Sequence, residues 1–270
     1  MPLRTRLLEG PALLAPEAHP VPAERGRLSS WVRGRLEDSG LALARLDRPL
    51  DEAGLLALGA DLGRVSEETD PAVLPYVEQG RILNLISGRA ATEDVALQPF
   101  SAGTLTLHSE GSGRPVATQP RYIVLMCQDP GDEAAAQTVL VPMRAVAERL
   151  QPRTLHTLGG LFYQDAPGVP PMARTVGDRT VFSFRDFGDR PLRWLAGKDT
   201  GPCADAAAEA DDAIAALLAA MYRPETALGI RWQRGTLAVI DNTWFFHGRT
   251  AGRFSAGARR HLQRIRVTAR

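Results

Sequence analysis

"LTLHSEGSGRPVATQPRYIVLMC", residues 105–127, decides how this chain is read. An alternating apolar run presents His108 and Glu110 two residues apart at its end, breaks into a small-residue and proline loop, and resumes as a strand. In a strand, side chains at i and i+2 point the same way, so an imidazole and a carboxylate can be offered to one point. Two such groups make half a metal site. Metal chemistry that takes dioxygen as a co-substrate uses two histidines and one carboxylate on one face of the ion, leaving three positions open. A second histidine must come from elsewhere in the chain.

The sequence holds five: His19, His108, His156, His247 and His261. His247 follows "GTLAVIDNTWFF", an apolar strand with a turn-type Asp-Asn at its end, which can set the imidazole at a sheet rim and aim it at the same centre. His19 lies in a Pro-rich N-terminal stretch and His156 in an amphipathic leucine-containing segment, and both read as surface or packing residues.

The rest of the composition is that of a soluble globular protein. Of 270 residues 44% are hydrophobic, enough for a sizeable core. Lys plus Arg is 32 against 31 Asp plus Glu, and no basic block is interleaved with aromatics, which argues against nucleic acid as a partner. The N-terminal leucines are interrupted by Glu9, Gly10, Pro11 and Pro16, and no later run approaches a membrane span. Cys127 and Cys203 lie far apart and form no CxxC pair, so neither a disulfide framework nor a zinc knuckle is indicated and a cytoplasmic location is expected.

Residues 41–64 read as a short strand followed by a leucine-spaced helix with Asp51 at its start. A strand is expected at 81–88 and a strand running into a helix at 136–150. The alanine-rich segment 202–223 is the strongest helix signal. Residues 163–200, rich in Gly, Pro, Arg and Asp, read as an irregular insertion with one strand-like piece at 179–186. Many short strands with Gly and Pro turns around few helices favour a closed or double-sheet architecture: an α+β, mainly β chain forming a single domain over 1–270.

On those residues a resemblance can be stated. "RGTLAVIDNTWFFHGR" (234–249) resembles the distal-histidine segment G-D-L-x-x-x-D-N-x-x-x-x-H-G-R of the taurine dioxygenase-like and clavaminate synthase-like Fe(II)/2-oxoglutarate oxygenases. Residues 105–127 resemble that family's proximal segment, L-H-[ST]-[DE], a variable loop, then R-P-x-Y-[VIL]-x-L-x-C. "QTVLVPM" (137–143) is similar to the G-G-x-T-x-x-x-D strand, with Ala136 and Gln137 where the family has glycines and Pro142 in place of its Asp. "RRHLQRIRV" (259–267) is similar to the final strand, with Arg260 thirteen residues after His247.

The resemblance implies a double-stranded β-helix (jelly roll) core with flanking helices and a lid loop near 111–120. It implies His108, Glu110 and His247 as ligands of Fe(II), Thr138 and Arg260 as contacts to the cosubstrate 2-oxoglutarate, and O2 as the oxidant. It also implies decarboxylation to succinate and carbon dioxide, coupled to hydrogen abstraction from a substrate C–H. Halogenating relatives have Gly or Ala where this chain has Glu110, so hydroxylation is the expected outcome, with desaturation or cyclisation as variants.

Strand alternation bears on the arginines without the family. Arg260, Leu262, Arg264 and Arg266 share one face, and Ile265 and Val267 the other. An arginine row turned into an interior requires anions, because an unpaired buried guanidinium costs several kcal/mol. In relatives acting on small acids the arginine four residues beyond the oxoglutarate arginine grips the substrate's acid, which here is Arg264. "FSFRD" (182–186) is similar to a substrate-contact segment of amino-acid hydroxylases, which makes Arg185 and Asp186 candidates, and Asn84 at the end of its strand is a further one.

The expected substrate is therefore a small acidic molecule, a free amino acid or a derivative. A carrier-protein-bound aminoacyl group is the alternative, a homo-oligomer is compatible with the chain, and a metal-free binding module on the same jelly roll is the non-enzyme reading.

Overall fold

A computed structural model of the protein describes residues 2–87, 92, 94, 96–101, 103–131, 136–163, 168–188, 194–196, 204–252 and 259–269. Two facing sheets form its centre. The larger is ordered His19–Pro20, Leu41–Arg45, Thr236–Asp241, Tyr122–Asp129, His261–Thr268, Ile82–Ile86 and Val77–Glu78, with Arg64–Val65 also pairing to His261–Thr268. The smaller is ordered Leu228–Ile230, Thr138–Pro142, Phe245–Arg249 and Leu105–His108. Most neighbouring strands come from distant parts of the sequence, as a jelly roll requires.

Side-chain alternation builds the layers. Along Tyr122–Asp129, Ile123, Leu125 and Cys127 point between the sheets, where they meet Leu140, Ile230 and Phe245. Val124 and Met126 point the other way, together with Ile265 and Val267, against Leu28, Val32 and Leu36 of helix Arg25–Ser39 and Leu55 and Leu58 of helix Glu52–Leu62. The outer face of the smaller sheet, through Leu107, Val139, Val141 and Phe246, packs on helices Met143–Ala147, Pro152–Gly159 and Ala204–Met221. Each fully buried aliphatic side chain contributes about 1.5–3 kcal/mol, so these contacts, more than helix propensity, hold the arginine-rich helix Arg25–Ser39 in place. That helix ends at Gly40, whose φ of 70° and contact with the Trp244 ring leave no room for a Cβ.

The strand and helix expected within 41–64 lie at Leu41–Arg45 and Glu52–Leu62, and the Asp51 side chain accepts from the Gly54 amide at 2.8 Å. Strands at Ile82–Ile86 and Thr138–Pro142 and the helix at Ala204–Met221 match their signals. Cys127 is fully buried, which pushes its thiol up to about 12, while Cys203 lies outside the described residues. His19 packs against Trp31 with ring centroids 6.0 Å apart, and His156 is exposed on its helix. The helices Pro2–Leu8 and Arg25–Ser39 had no counterpart in the sequence reading.

Within 163–200 the described residues form a hairpin, Ala173–Val176 with Arg179–Phe182, and a strand Trp194–Ala196 paired to Leu161–Tyr163. The strand-like piece at 179–186 thus stops at Phe182, and Arg185 beyond it makes a single antiparallel bridge to His108. Residues 164–167, 189–193 and 197–200 of the expected insertion lie outside the described residues.

Candidate active site

His108 ends strand Leu105–His108 and His247 lies in Phe245–Arg249; the two are register partners across an antiparallel pair, with ring centroids 4.2 Å apart. Glu110 follows in the turn, and its Oε2 lies 3.8 Å from His108 Nε2 and 3.4 Å from His247 Nε2. One ligand atom from each residue falls within 4.8 Å of the others, and all three residues are buried.

His108 Nδ1 meets the Thr106 carbonyl at 2.8 Å, which sets the proton on Nδ1 and leaves the Nε2 lone pair facing Glu110. Burial, and then the neighbouring His247, push the His108 pKa down to about 4, so the imidazole is neutral at ordinary pH. Burial alone would raise the Glu110 pKa, but Arg266 and then Arg264 outweigh it and hold the carboxyl well below the usual range. A neutral imidazole and an ionised carboxylate are the protonation states a divalent cation needs, and this donor set fits such an ion.

The Asp-Asn pair before His247 does more than turn the chain. Asn242 Oδ1 accepts from the Glu110 amide at 2.7 Å, while its Nδ2 donates to the carbonyls of Glu110 and Pro120, each at 2.9 Å. One buried amide therefore fixes the backbone of the carboxylate residue and both ends of the 111–120 loop. Asp241 pairs with Arg121 at 2.6 Å and caps the Thr243 amide at 2.8 Å.

A cavity of about 370 Å³ opens beside the three residues, and the arginine row forms one wall of it. Arg260, Leu262, Arg264 and Arg266 all line it, as alternation predicts, while Ile265 and Val267 pack behind. Arg266 donates to Glu110 Oε1 from Nε at 2.7 Å and to Glu68 Oε2 from Nη1 at 2.6 Å. Arg264 Nη2 donates to Glu68 Oε1 at 3.2 Å. Glu68, from the irregular stretch after Arg64–Val65 and buried in the wall, is thus the counter-ion of both arginines. The premise that Arg264 must wait for a substrate anion is corrected, because Glu68 already neutralises it.

Arg260 differs. Its Nη1 donates to the Ala136 carbonyl at 3.0 Å, its Nε has no partner, and burial pushes its pKa down to about 10. No carboxylate pairs with it among the described residues. Thr138 lines the same cavity. Gln137, where the family pattern has glycine, ties Leu13 and Gly229 together through its amide, accepting from Leu13 N at 2.8 Å and donating to the Gly229 carbonyl at 3.0 Å.

Of the candidate substrate contacts, only Arg185 and Arg264 reach the cavity wall. Asp186 turns away: Arg4 Nε and Nη2 donate to its two carboxylate oxygens at 2.6 Å each, and the Tyr222 hydroxyl donates to it at 2.6 Å. Asn84 lies behind the arginine row, where its Oδ1 meets His261 Nε2 at 2.7 Å. Both are corrections with one cause: a carboxylate or amide already committed to buried partners is not turned toward a ligand.

Sequence reasoning passed over Glu68, which sits in no periodic segment, and Arg249, which directly follows His247-Gly248. Arg249 is buried and donates to the carbonyls of Pro99 at 2.6 Å and Gly103 at 2.9 Å, tying 98–103 to the site; burial, then the charge of Arg260, pushes its pKa down to about 9. The Gly-Arg that follows the histidine was the available signal.

Comparison with known proteins follows the same lines. A sequence profile of the taurine catabolism dioxygenase TauD, TfdA family matches residues 17–266. No curated protein matches the chain in sequence. Among solved structures, PvcB from Pseudomonas aeruginosa is similar at a TM-score of 0.63 and 23% identity, covering 89% of this chain and 80% of that one. An asparagine oxygenase is similar at 0.67 and 19%, covering 90% and 79%. A taurine dioxygenase from Burkholderia xenovorans is similar at 0.63 and 16%, covering 96% and 89%. At these identities the likeness shows the fold.

Proposed function

The chain belongs to the taurine catabolism dioxygenase (TauD, TfdA) family, and on that premise we propose that it is an Fe(II)- and 2-oxoglutarate-dependent oxygenase hydroxylating an unactivated C–H of a small acidic substrate, a free amino acid or a derivative. The observation that carries this is the convergence of His108, Glu110 and His247 at a cavity that Arg260 also lines, with no carboxylate partner for Arg260 among the described residues. The similar structures support it. PvcB is an Fe, alpha-ketoglutarate dependent oxygenase from an isonitrile synthetic pathway, and the asparagine oxygenase was solved with Fe(II), 3-hydroxyasparagine and succinate. A further similar structure, the oxygenase OrfP, was solved with Fe and alpha-ketoglutaric acid and, as a variant, with hydroxy-L-Arg.

Iron bound by the three residues, with 2-oxoglutarate and O2, supplies the oxidation: the oxo acid leaves as succinate and carbon dioxide while the substrate C–H becomes C–OH. The residues of the chain do the holding and orienting. Thr106 fixes the His108 tautomer so that Nε2 is the donor atom. Arg266 occupies Glu110 Oε1 and so turns Oε2 toward the histidines. Arg260 and Thr138 hold the distal carboxylate of 2-oxoglutarate, a guanidinium fork being suited to a carboxylate. Arg264, whose Nε is unbonded, and Arg185 face the remaining space, where the acidic group of the substrate binds with Glu68 still in place. The protein is read as one jelly-roll domain acting in the cytoplasm; no described helix is long and apolar enough to cross a membrane.

The test is anaerobic addition of Fe(II) and 2-oxoglutarate, watched for the weak visible charge-transfer band, followed by a screen of amino acids for substrate-stimulated succinate. A band that needs both additions is the expected result. Its absence overturns the reading, and a band without stimulation by any amino acid overturns the substrate class.

A further inference from the structure

Thr138 is central in its sheet, with Ile230 as register partner on one side and Arg249 on the other. Its hydroxyl lines the cavity and accepts a hydrogen bond from Trp232 Nε1 at 3.1 Å. An indole N–H is a donor only, whereas a hydroxyl carries one proton and two lone pairs. Trp232 therefore occupies a lone pair of Thr138 and never its proton, and among the described residues no acceptor for that proton is present. Arg260 lines the same cavity, and among the described residues no carboxylate pairs with it.

A hydroxyl proton and a guanidinium without a described carboxylate partner, both on the wall of one cavity, make a receptor for an anion and reject a donor. The Trp232 ring is itself buried and packed among Ile230, Leu140 and Leu262, so the direction of its N–H is fixed by the core.

We propose that Trp232 is a positioning residue for the cosubstrate: by occupying the Thr138 lone pair it turns the Thr138 hydroxyl proton toward the distal carboxylate of 2-oxoglutarate, and so sets the preference for a dicarboxylic oxo acid. The inference rests on the function proposed above. It is separable from it, because it concerns how the cosubstrate is selected and not whether it binds.

The experiment measures dissociation constants, anaerobically with Fe(II) present, for 2-oxoglutarate and for 2-oxovalerate, which has a methyl group where 2-oxoglutarate has its distal carboxylate. Trp232→Phe keeps the ring and removes the N–H. It should bind 2-oxoglutarate about three- to tenfold more weakly, the range expected for one hydrogen bond, with 2-oxovalerate unchanged. Thr138→Val should show the same selective loss, and adding Trp232→Phe to it should cost nothing further, since there is no hydroxyl left to orient.

Equal weakening of both oxo acids in Trp232→Phe means that the ring only packs, and overturns the inference. So does an additive double variant. If Trp232→Phe fails to fold, Thr138→Val decides: unselective loss overturns the role of the hydroxyl that Trp232 is inferred to orient. Wild-type protein that develops no band with Fe(II) and 2-oxoglutarate overturns the proposed function itself, and the inference with it.

Discussion

Asn242 offers the most direct test of how the site is held. It is 4% exposed, and its side chain makes three hydrogen bonds, to the Glu110 amide at 2.7 Å and to the Glu110 and Pro120 carbonyls at 2.9 Å each. Asn242→Ala removes all three and leaves three buried backbone groups unpaired. At about 1 kcal/mol net for each bond, the loss is about 3 kcal/mol of stability. For a domain of this size that lowers Tm by roughly 6–12 °C.

Glu110 is also freed to move, and loss of a residue that orients a metal ligand lowers metal affinity about 10- to 100-fold. Asn242→Asp is sharper still. It preserves the volume and the acceptor but turns an oxygen toward two carbonyls, so it should be no more stable than the alanine variant. Thermal melts of the metal-free protein and anaerobic Fe(II) titrations read the two effects separately. An Asn242→Ala protein that melts within about 2 °C of wild type and binds Fe(II) equally refutes the clamp.

His247→Ala leaves two ligands and should abolish Fe(II) binding in the same titration; retained stoichiometric binding removes His247 from the site. Arg260→Lys gives up the planar fork and should raise the 2-oxoglutarate requirement by about 2–3 kcal/mol with Fe(II) affinity unchanged, read as an apparent KM for 2-oxoglutarate. Glu68→Ala strips Arg264 of its closest carboxylate and leaves Arg266 with Glu110 alone, so it should destabilise the protein by about 3 kcal/mol in denaturant unfolding; a neutral effect shows that the pair is solvated. The His108 pKa is lowered to about 4 in the folded protein, so the unfolded chain takes up the proton first as pH falls below about 6.5. Metal-free protein should therefore lose stability between pH 6.5 and about 4, by about 3 kcal/mol from this group, and His108→Asn should flatten the profile across that window; an unchanged slope assigns the loss to other groups.

The metal triad was legible in the chain because its signal is local and periodic. His108 and Glu110 are two residues apart at a strand end, so strand geometry brings that pair together, while His247 was singled out by the resemblance of 234–249 to the family's distal-histidine segment. The arginine row was legible in part: period two assigns Arg260, Arg264 and Arg266 to one face and Ile265 and Val267 to the other whatever the fold, and the structure turns the arginine face to the cavity. Helix Arg25–Ser39 was missed because its buried apolar residues are three among many arginines and polar groups, and only the sheet beneath makes them a face.

What the tertiary structure alone decided is which charges find each other. Glu68 lies nearly two hundred residues from Arg264 and Arg266, and Arg4 equally far from Asp186. No periodicity links such positions, because the pairing is set by how irregular segments pack over the open end of the two sheets. The sequence by itself therefore determined the main strands, the shared face of His108 and Glu110 and the shared face of the three arginines, all consequences of local backbone geometry, and its motifs supplied His247 by resemblance. Only folding determined that Arg264 is neutralised from within, that Asp186 and Asn84 are spent on other side chains of the protein, and that Arg260 lines the cavity with no carboxylate partner among the described residues, since burial in a medium of low polarity makes each pairing a property of the whole packed chain.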